Sequence, residues 1–119
     1  MPIPQMQSLR EKVIAYARLV EEMIVRSRTA LIQGQPDLLA VVTEEDEPHA
    51  NAFEVELEEE GIAVIARHQP MARELRTLLM ILRITKDLER IADLATNIGE
   101  DVIYMEEGRV IKHHHEEGA

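Results

Sequence analysis

The sequence predicts an all-α protein, an elongated antiparallel three-helix bundle, on three observations. Apolar residues recur at three- and four-residue steps through Leu9, Val13, Ala17, Val20, Ile24 and Leu31, the spacing that gathers them on one side of an α-helix. Among 119 residues there are one Phe, two Tyr and no Trp, so the core must come from Leu, Ile, Val, Ala and Met, a composition that suits helices. Met71 to Glu107 contains no proline.

The first helix is expected over about residues 5–32. Gln33-Gly34-Gln35-Pro36-Asp37 then breaks it, because Gly34 tolerates a left-handed conformation and Pro36 with Asp37 suits the start of another helix. The second segment, about 37–67, carries two patterns. Phe53, Val55 and Leu57 alternate with Glu54, Glu56 and Glu58 as in a strand, whereas Ala50, Phe53, Leu57, Gly61 and Val64 fit one helical face. Pro48 opposes an unbroken helix, since an interior proline costs about 3 kcal/mol. A helix kinked or restarted near Asp46–Pro48 is the preferred reading.

The third helix is expected over about 70–107, after a short connector at His68-Gln69-Pro70, with Gly108 as its cap. At about 1.5 Å per residue it would be roughly 55 Å long. Residues 1–108 then form one domain and 109–119 a flexible tail, in which His113, His114, His115, Glu116 and Glu117 are read as tail rather than metal site. The stretch Leu75–Ile84 is apolar almost all the way round. Part of that surface, with Leu75, Leu78, Leu79 and Leu82, is therefore expected to meet a second copy of the chain in a homodimer.

The formal net charge is −10, which argues against nucleic acid as a partner, since duplex binding rests on cationic side chains. Residues 29–66 hold ten acidic and no basic side chains, so the excess is localised there. With no cysteine, a disulfide scaffold and thiolate metal sites are excluded. No apolar run is long enough for membrane insertion and the first residues lack a signal-peptide pattern, so a cytoplasmic protein is expected. The sequence has no Ser-His-Asp or Cys-His arrangement, P-loop or glycine-rich dinucleotide turn, and the reading is of a protein that is not an enzyme.

Two acidic stripes follow from helical arithmetic at 100° per residue. Glu89, Asp93, Thr96 and Glu100 share one arc of the third helix, and Glu44, Glu47, Asn51, Glu54 and Glu58 share one of the second. A turn at about residue 68 would set residue 47 level with 90 and 44 level with 93. If both stripes face one groove, five or more carboxylates approach each other with only Lys86 and Arg90 to oppose them. Like charges that close do not all stay ionised, and a bound cation relieves the conflict. All-oxygen ligands favour Mg, Ca, Mn or Fe. The plain alternative is that both stripes are the solvated sides of amphipathic helices.

The order of residues adds more. Gln69-Pro70-Met71-Ala72-Arg73-Glu74-Leu75-Arg76 and Leu88-Glu89-Arg90-Ile91-Ala92-Asp93-Leu94-Ala95-Thr96-Asn97-Ile98 resemble the PhoU family of phosphate-uptake regulators. A looser match runs through Asp37, Glu47, Asn51, Phe53 and Leu57. The resemblance implies a three-helix bundle and a helical second segment. It also implies a cluster of iron, zinc or other cations held by Glu/Asp-x-x-x-Asp motifs, here Glu47 with Asn51 and Glu89 with Asp93. Asn97 and Glu100 continue that surface, Glu54 extends the other stripe, and Asn51 stands where the motif has Asp. As partners it implies a membrane sensor kinase and the ATPase subunit of a phosphate transporter. Family members usually carry two such repeats, and two copies of this chain would rebuild that arrangement. The competing readings are a carboxylate metal-storage or metal-dependent hydrolytic bundle, and a detached accessory domain of a sodium/phosphate symporter or a DNA-binding regulator.

Overall fold

The computed structural model describes residues 2–108; Met1 and the tail from Arg109 onward, with His113, His114 and His115, lie outside the described residues. Along the chain come α1 (Pro4–Gln33), α2 (Asp37–Val41), a π-helical segment (Val42–Asp46), α3 (Glu47–His68) and α4 (Arg73–Glu107). Val41, Val42, Asp46 and Glu47 all keep right-handed helical dihedrals. The pieces α2, π segment and α3 are therefore one rod, and the protein is the predicted all-α bundle of three long rods. It measures 57 × 28 × 18 Å.

Pro4 occupies the first turn of α1, where its missing N–H costs nothing, and Gly34 closes that helix at φ 62° with its N–H on the Ala30 carbonyl. The interruption expected near Asp46–Pro48 is the junction of the π segment with α3, which starts at Glu47 with Pro48 in its first turn. A proline ring crowds the carbonyl four residues back, here Glu44. That carbonyl lies inside the π segment, where the wider i→i+5 bonding, with the Glu47 N–H on the Val42 carbonyl, makes room for it.

The connector to α4 is longer than the sequence suggests. Gln69 (φ 45°) and Ala72 (φ 52°) both take positive φ, and α4 begins at Arg73 instead of residue 70. Two such residues outside glycine make a tight reversal that one left-handed residue alone would not. The level at which α3 and α4 meet moves accordingly, as the carboxylates show below.

The main core joins α1, α3 and α4 through Leu9, Tyr16, Val20, Met23, Leu57, Val64, Leu78 and Ile81. A smaller cluster of Ala30, Leu39, Val102 and Ile103 closes the end near α2. Between them the buried Ser27 Oγ donates to the Ala95 carbonyl at 2.9 Å, joining α1 to α4. The few aromatics are used together: Tyr16 stacks on Phe53 with ring centroids 5.6 Å apart.

The expected dimer surface at Leu75–Leu82 needs correction. Leu78 is fully buried in the main core, Leu82 is half-buried against it, and Leu75 is half-buried; Leu79 is the exposed one. The reason is steric. A Cβ on Gly61 would stand 2.9 Å from Leu82 Cδ2, so the glycine lets α4 press Leu82 and Leu78 against α3, while Leu79, Met80 and Ile84 stay exposed. Leu57 is fully buried in the main core. Leu57→Ala should lower the unfolding free energy by about 3 kcal/mol, read by urea denaturation followed by circular dichroism.

Candidate functional site

The polar seam between α3 and α4 is built around Glu54. Its side chain is mostly buried, and its Oε1 accepts from Lys86 Nζ at 3.0 Å, while Lys86 Nζ also reaches Glu58 Oε1 at 3.5 Å. On its other side Glu54 is within hydrogen-bonding reach of Glu89. Two carboxyl groups in that relation share a proton.

The electrostatics assign the proton. Glu89 is pushed up to about 7, chiefly by the hydrogen bond it donates to Glu54 and then by burial and the Glu54 charge. Glu54 is held below the usual range: burial works against its charge, but the hydrogen bonds from Glu89 and Lys86 outweigh it. Asp93, one turn beyond Glu89, is raised by desolvation and by the Glu54 charge. Beneath them the buried Tyr16 hydroxyl has its ionisation suppressed by burial and by the charges of Glu54, Glu89 and Asp93. The pair Glu54–Glu89 is therefore a carboxylate and a carboxylic acid below about pH 7, steadied by Lys86.

Two further ionic ties fix α1 against the second rod. Lys12 Nζ meets Glu60 Oε2 at 2.6 Å, and Arg26 meets the buried Asp46 of the π segment. Burial raises the Asp46 carboxyl, with Arg26 opposing that rise. These lie on the other side of the second rod from the Glu54 seam.

Of the residues singled out in the sequence, Glu54 and Glu89 come together, and the exposed Asp93 stands one turn beyond Glu89. Glu44 and Asn51 are exposed, and Glu47 and Asn97 are half-buried. Glu100 is fully buried. It lies one and two turns past Thr96 and Asp93, where α4 turns toward the smaller core cluster. Among the described residues, no group of three or more His, Asp or Glu side chains is arranged to hold a metal ion. The oxygen donors at Glu54, Glu89 and Asp93 suit a hard cation in kind, but as placed they hold a proton and Lys86. Tyr16 was invisible as part of this site because its spacing on α1 is that of a core residue.

Fold and site together define a small helical-bundle protein whose polar chemistry is concentrated in carboxylates on an interhelical seam. The chain belongs to the PhoU family: the PhoU domain matches residues 13–102. It is 37% identical over 105 residues to the phosphate-specific transport system accessory protein PhoU homolog of Pseudomonas putida, covering 87% of this chain and 41% of that one. Over 108 residues it is 35% identical to the homolog of Aquifex aeolicus, covering 91% and 48%. With the Escherichia coli accessory protein PhoU it shares 33% over 94 residues, covering 79% and 39%. The chain thus spans less than half the length of these curated relatives. No solved structure matches it. Among the described residues no helix is long and apolar enough to cross a membrane.

Because Glu89 is raised above its ordinary value of 4.5 to about 7, the stability tied to its proton is fully present below about pH 4.5 and lost as pH rises through 7. Asp93 acts in the same direction. Glu89→Gln keeps a donor for Glu54 and cannot ionise. Its melting temperature should match the parent's near pH 4.5 and exceed it at pH 8, in thermal melts across that range.

Proposed function

We propose that the chain is a non-enzymatic regulator of phosphate uptake that works in the cytoplasm by protein contact. The observation that carries this reading is identity of a third or more, over most of the chain, to proteins named as accessory proteins of a phosphate-specific transport system. The partners proposed are the ATPase subunit of the phosphate transporter and a membrane sensor kinase, and the acting form is a homodimer. The charge distribution supports a protein target over phosphate itself. Of the acids in residues 29–66, Asp37, Glu44, Glu45, Glu56 and Glu59 are exposed, and they present a surface that attracts basic side chains and repels anions. Deleting the gene should release phosphate uptake from control in phosphate-rich medium; unchanged uptake, with no binding of the purified protein to the ATPase subunit, would refute the reading.

We further propose that a hard or borderline cation, such as Mn, Fe, Zn, Mg or Ca, competes with the shared proton at Glu54 and Glu89, with Asp93 one turn beyond. Two observations support this: the ligand atoms are carboxylate oxygens, and one carboxyl is already protonated by crowding. Binding of Mn²⁺ should then release protons and be tighter at pH 8 than at pH 6 in calorimetric titration. Glu54→Ala with Asp93→Ala should abolish it. Equal affinity in the double variant and the parent would place any cation elsewhere.

A further inference from the structure

The charge of the chain is divided between the two ends of the bundle. Arg10, Arg67, Arg73 and Arg76 are all exposed at the end where α1 begins and α3 turns into α4. Lys12, Arg26, Lys86 and Arg90 each meet a carboxylate, whereas among the described residues these end arginines have none within ion-pairing distance. In a chain with 23 acids against 13 bases, that leaves their guanidinium groups available. Of the exposed acids of the second rod, Asp37, Glu44 and Glu45 stand near the opposite end of the 57 Å bundle. Glu59, the nearest, is about 13 Å along α3 from His68, beyond the roughly 8 Å over which exposed charges act at physiological salt. The surface that repels anions does not reach this end.

Arg10 of α1 and Arg73 of α4 line one cavity of about 320 Å³, and its other polar lining is Gln7, Glu74 and Thr77. That volume is at the small end of ligand sites. Two guanidinium groups at one cavity offer two charges and paired N–H donors, which a tetrahedral oxyanion of charge near −2 can meet with several oxygens, whereas a carboxylate fits only one of them. The Thr77 hydroxyl adds a donor, and the Gln7 amide gives one N–H to Glu11 at 3.4 Å and keeps another. Glu74 selects among oxyanions. A carboxylate beside an anion repels it unless that anion has a proton to donate. Sulfate has none near neutral pH, and a phosphate monoester loses its last proton, with a pKa of about 6, as it reaches charge −2. Inorganic hydrogen phosphate carries both the charge and the proton.

We infer that the Arg10–Arg73 cavity binds inorganic phosphate, the two guanidinium groups answering its charge and Glu74 accepting the hydrogen bond from its hydroxyl. The chain then carries its own site for the ion whose uptake it is proposed to regulate. Neither the partner contacts nor the cation at Glu54 and Glu89 enters this inference, so its failure leaves them standing. Equilibrium dialysis of the full chain against radiolabelled orthophosphate, near neutral pH and at constant ionic strength, tests it. Saturable binding is expected, with sulfate and glycerol 3-phosphate each competing more weakly than phosphate by roughly tenfold or more. Arg10→Ala with Arg73→Ala should weaken phosphate binding by at least that factor while helicity by circular dichroism is unchanged. Arg76→Ala, at an exposed arginine outside the cavity lining, should have a much smaller effect. Glu74→Gln should erase the preference for phosphate over sulfate. No saturable binding at millimolar phosphate, undiminished binding in the double variant, or an equal loss with Arg76→Ala overturns the site. Sulfate or glycerol 3-phosphate competing as well as phosphate against the parent overturns the choice of ligand. Should the double variant lose helicity, Arg10→Ala alone, at an exposed position, supplies the same readout.

Discussion

The height at which α3 meets α4 is set in four residues, and the chemistry of the seam depends on it. With Gln69 and Ala72 at positive φ, α3 ends at His68 and α4 starts at Arg73. That places Glu54, and not Glu47, level with the Lys86–Glu89 turn. Shifting the register by one helical turn would exchange a carboxyl pair sharing a proton for a different set of neighbours. Gly61 enforces the same register from within, since Leu82 fits only where α3 lacks a side chain.

Around that seam the ionic ties divide into two kinds. The Lys86 bridges are half exposed and contribute little to stability, on the order of 0–1 kcal/mol for such pairs. Their effect is on protonation: they hold Glu54 ionised, and an ionised Glu54 keeps the proton on Glu89. Asp46 is different, because it is buried and answered by Arg26. Removing Arg26 would leave a carboxylate without its cation inside the π segment, where burial already opposes its charge.

Much of the architecture was legible in the sequence, because helices announce themselves locally through periodicity, proline and glycine. Leu9, Val20 and Leu57 fall on the buried faces that their spacing indicates. The register was not legible, since nothing in the residues Gln69 and Ala72 advertises positive φ. A turn displaced by two residues moves the facing positions by about four, one helical turn, which carries Glu47 away from the Lys86–Glu89 level and brings Glu54, two turns further along α3, toward it. For Glu100, angular arithmetic gives the direction of the side chain but not its burial, which follows from α2 covering that end of α4. The apolar girth at Leu75–Ile84 was visible, yet its destination was not, because a sequence does not say that Gly61 opens a place for Leu82.

The bond from Ser27 to Ala95 spans 68 positions, and the core beneath α1 is completed by Leu78, Ile81, Ala92 and Ala95 of the last helix. Contacts so distant in the chain carry a kinetic consequence. A chain emerging from the ribosome can form α1 and α3 as a hairpin, but the apolar side of α1 stays open until most of α4 has been made. The bundle therefore closes late in synthesis, and the interval before closure is when its aliphatic faces are most exposed to aggregation or to a chaperone.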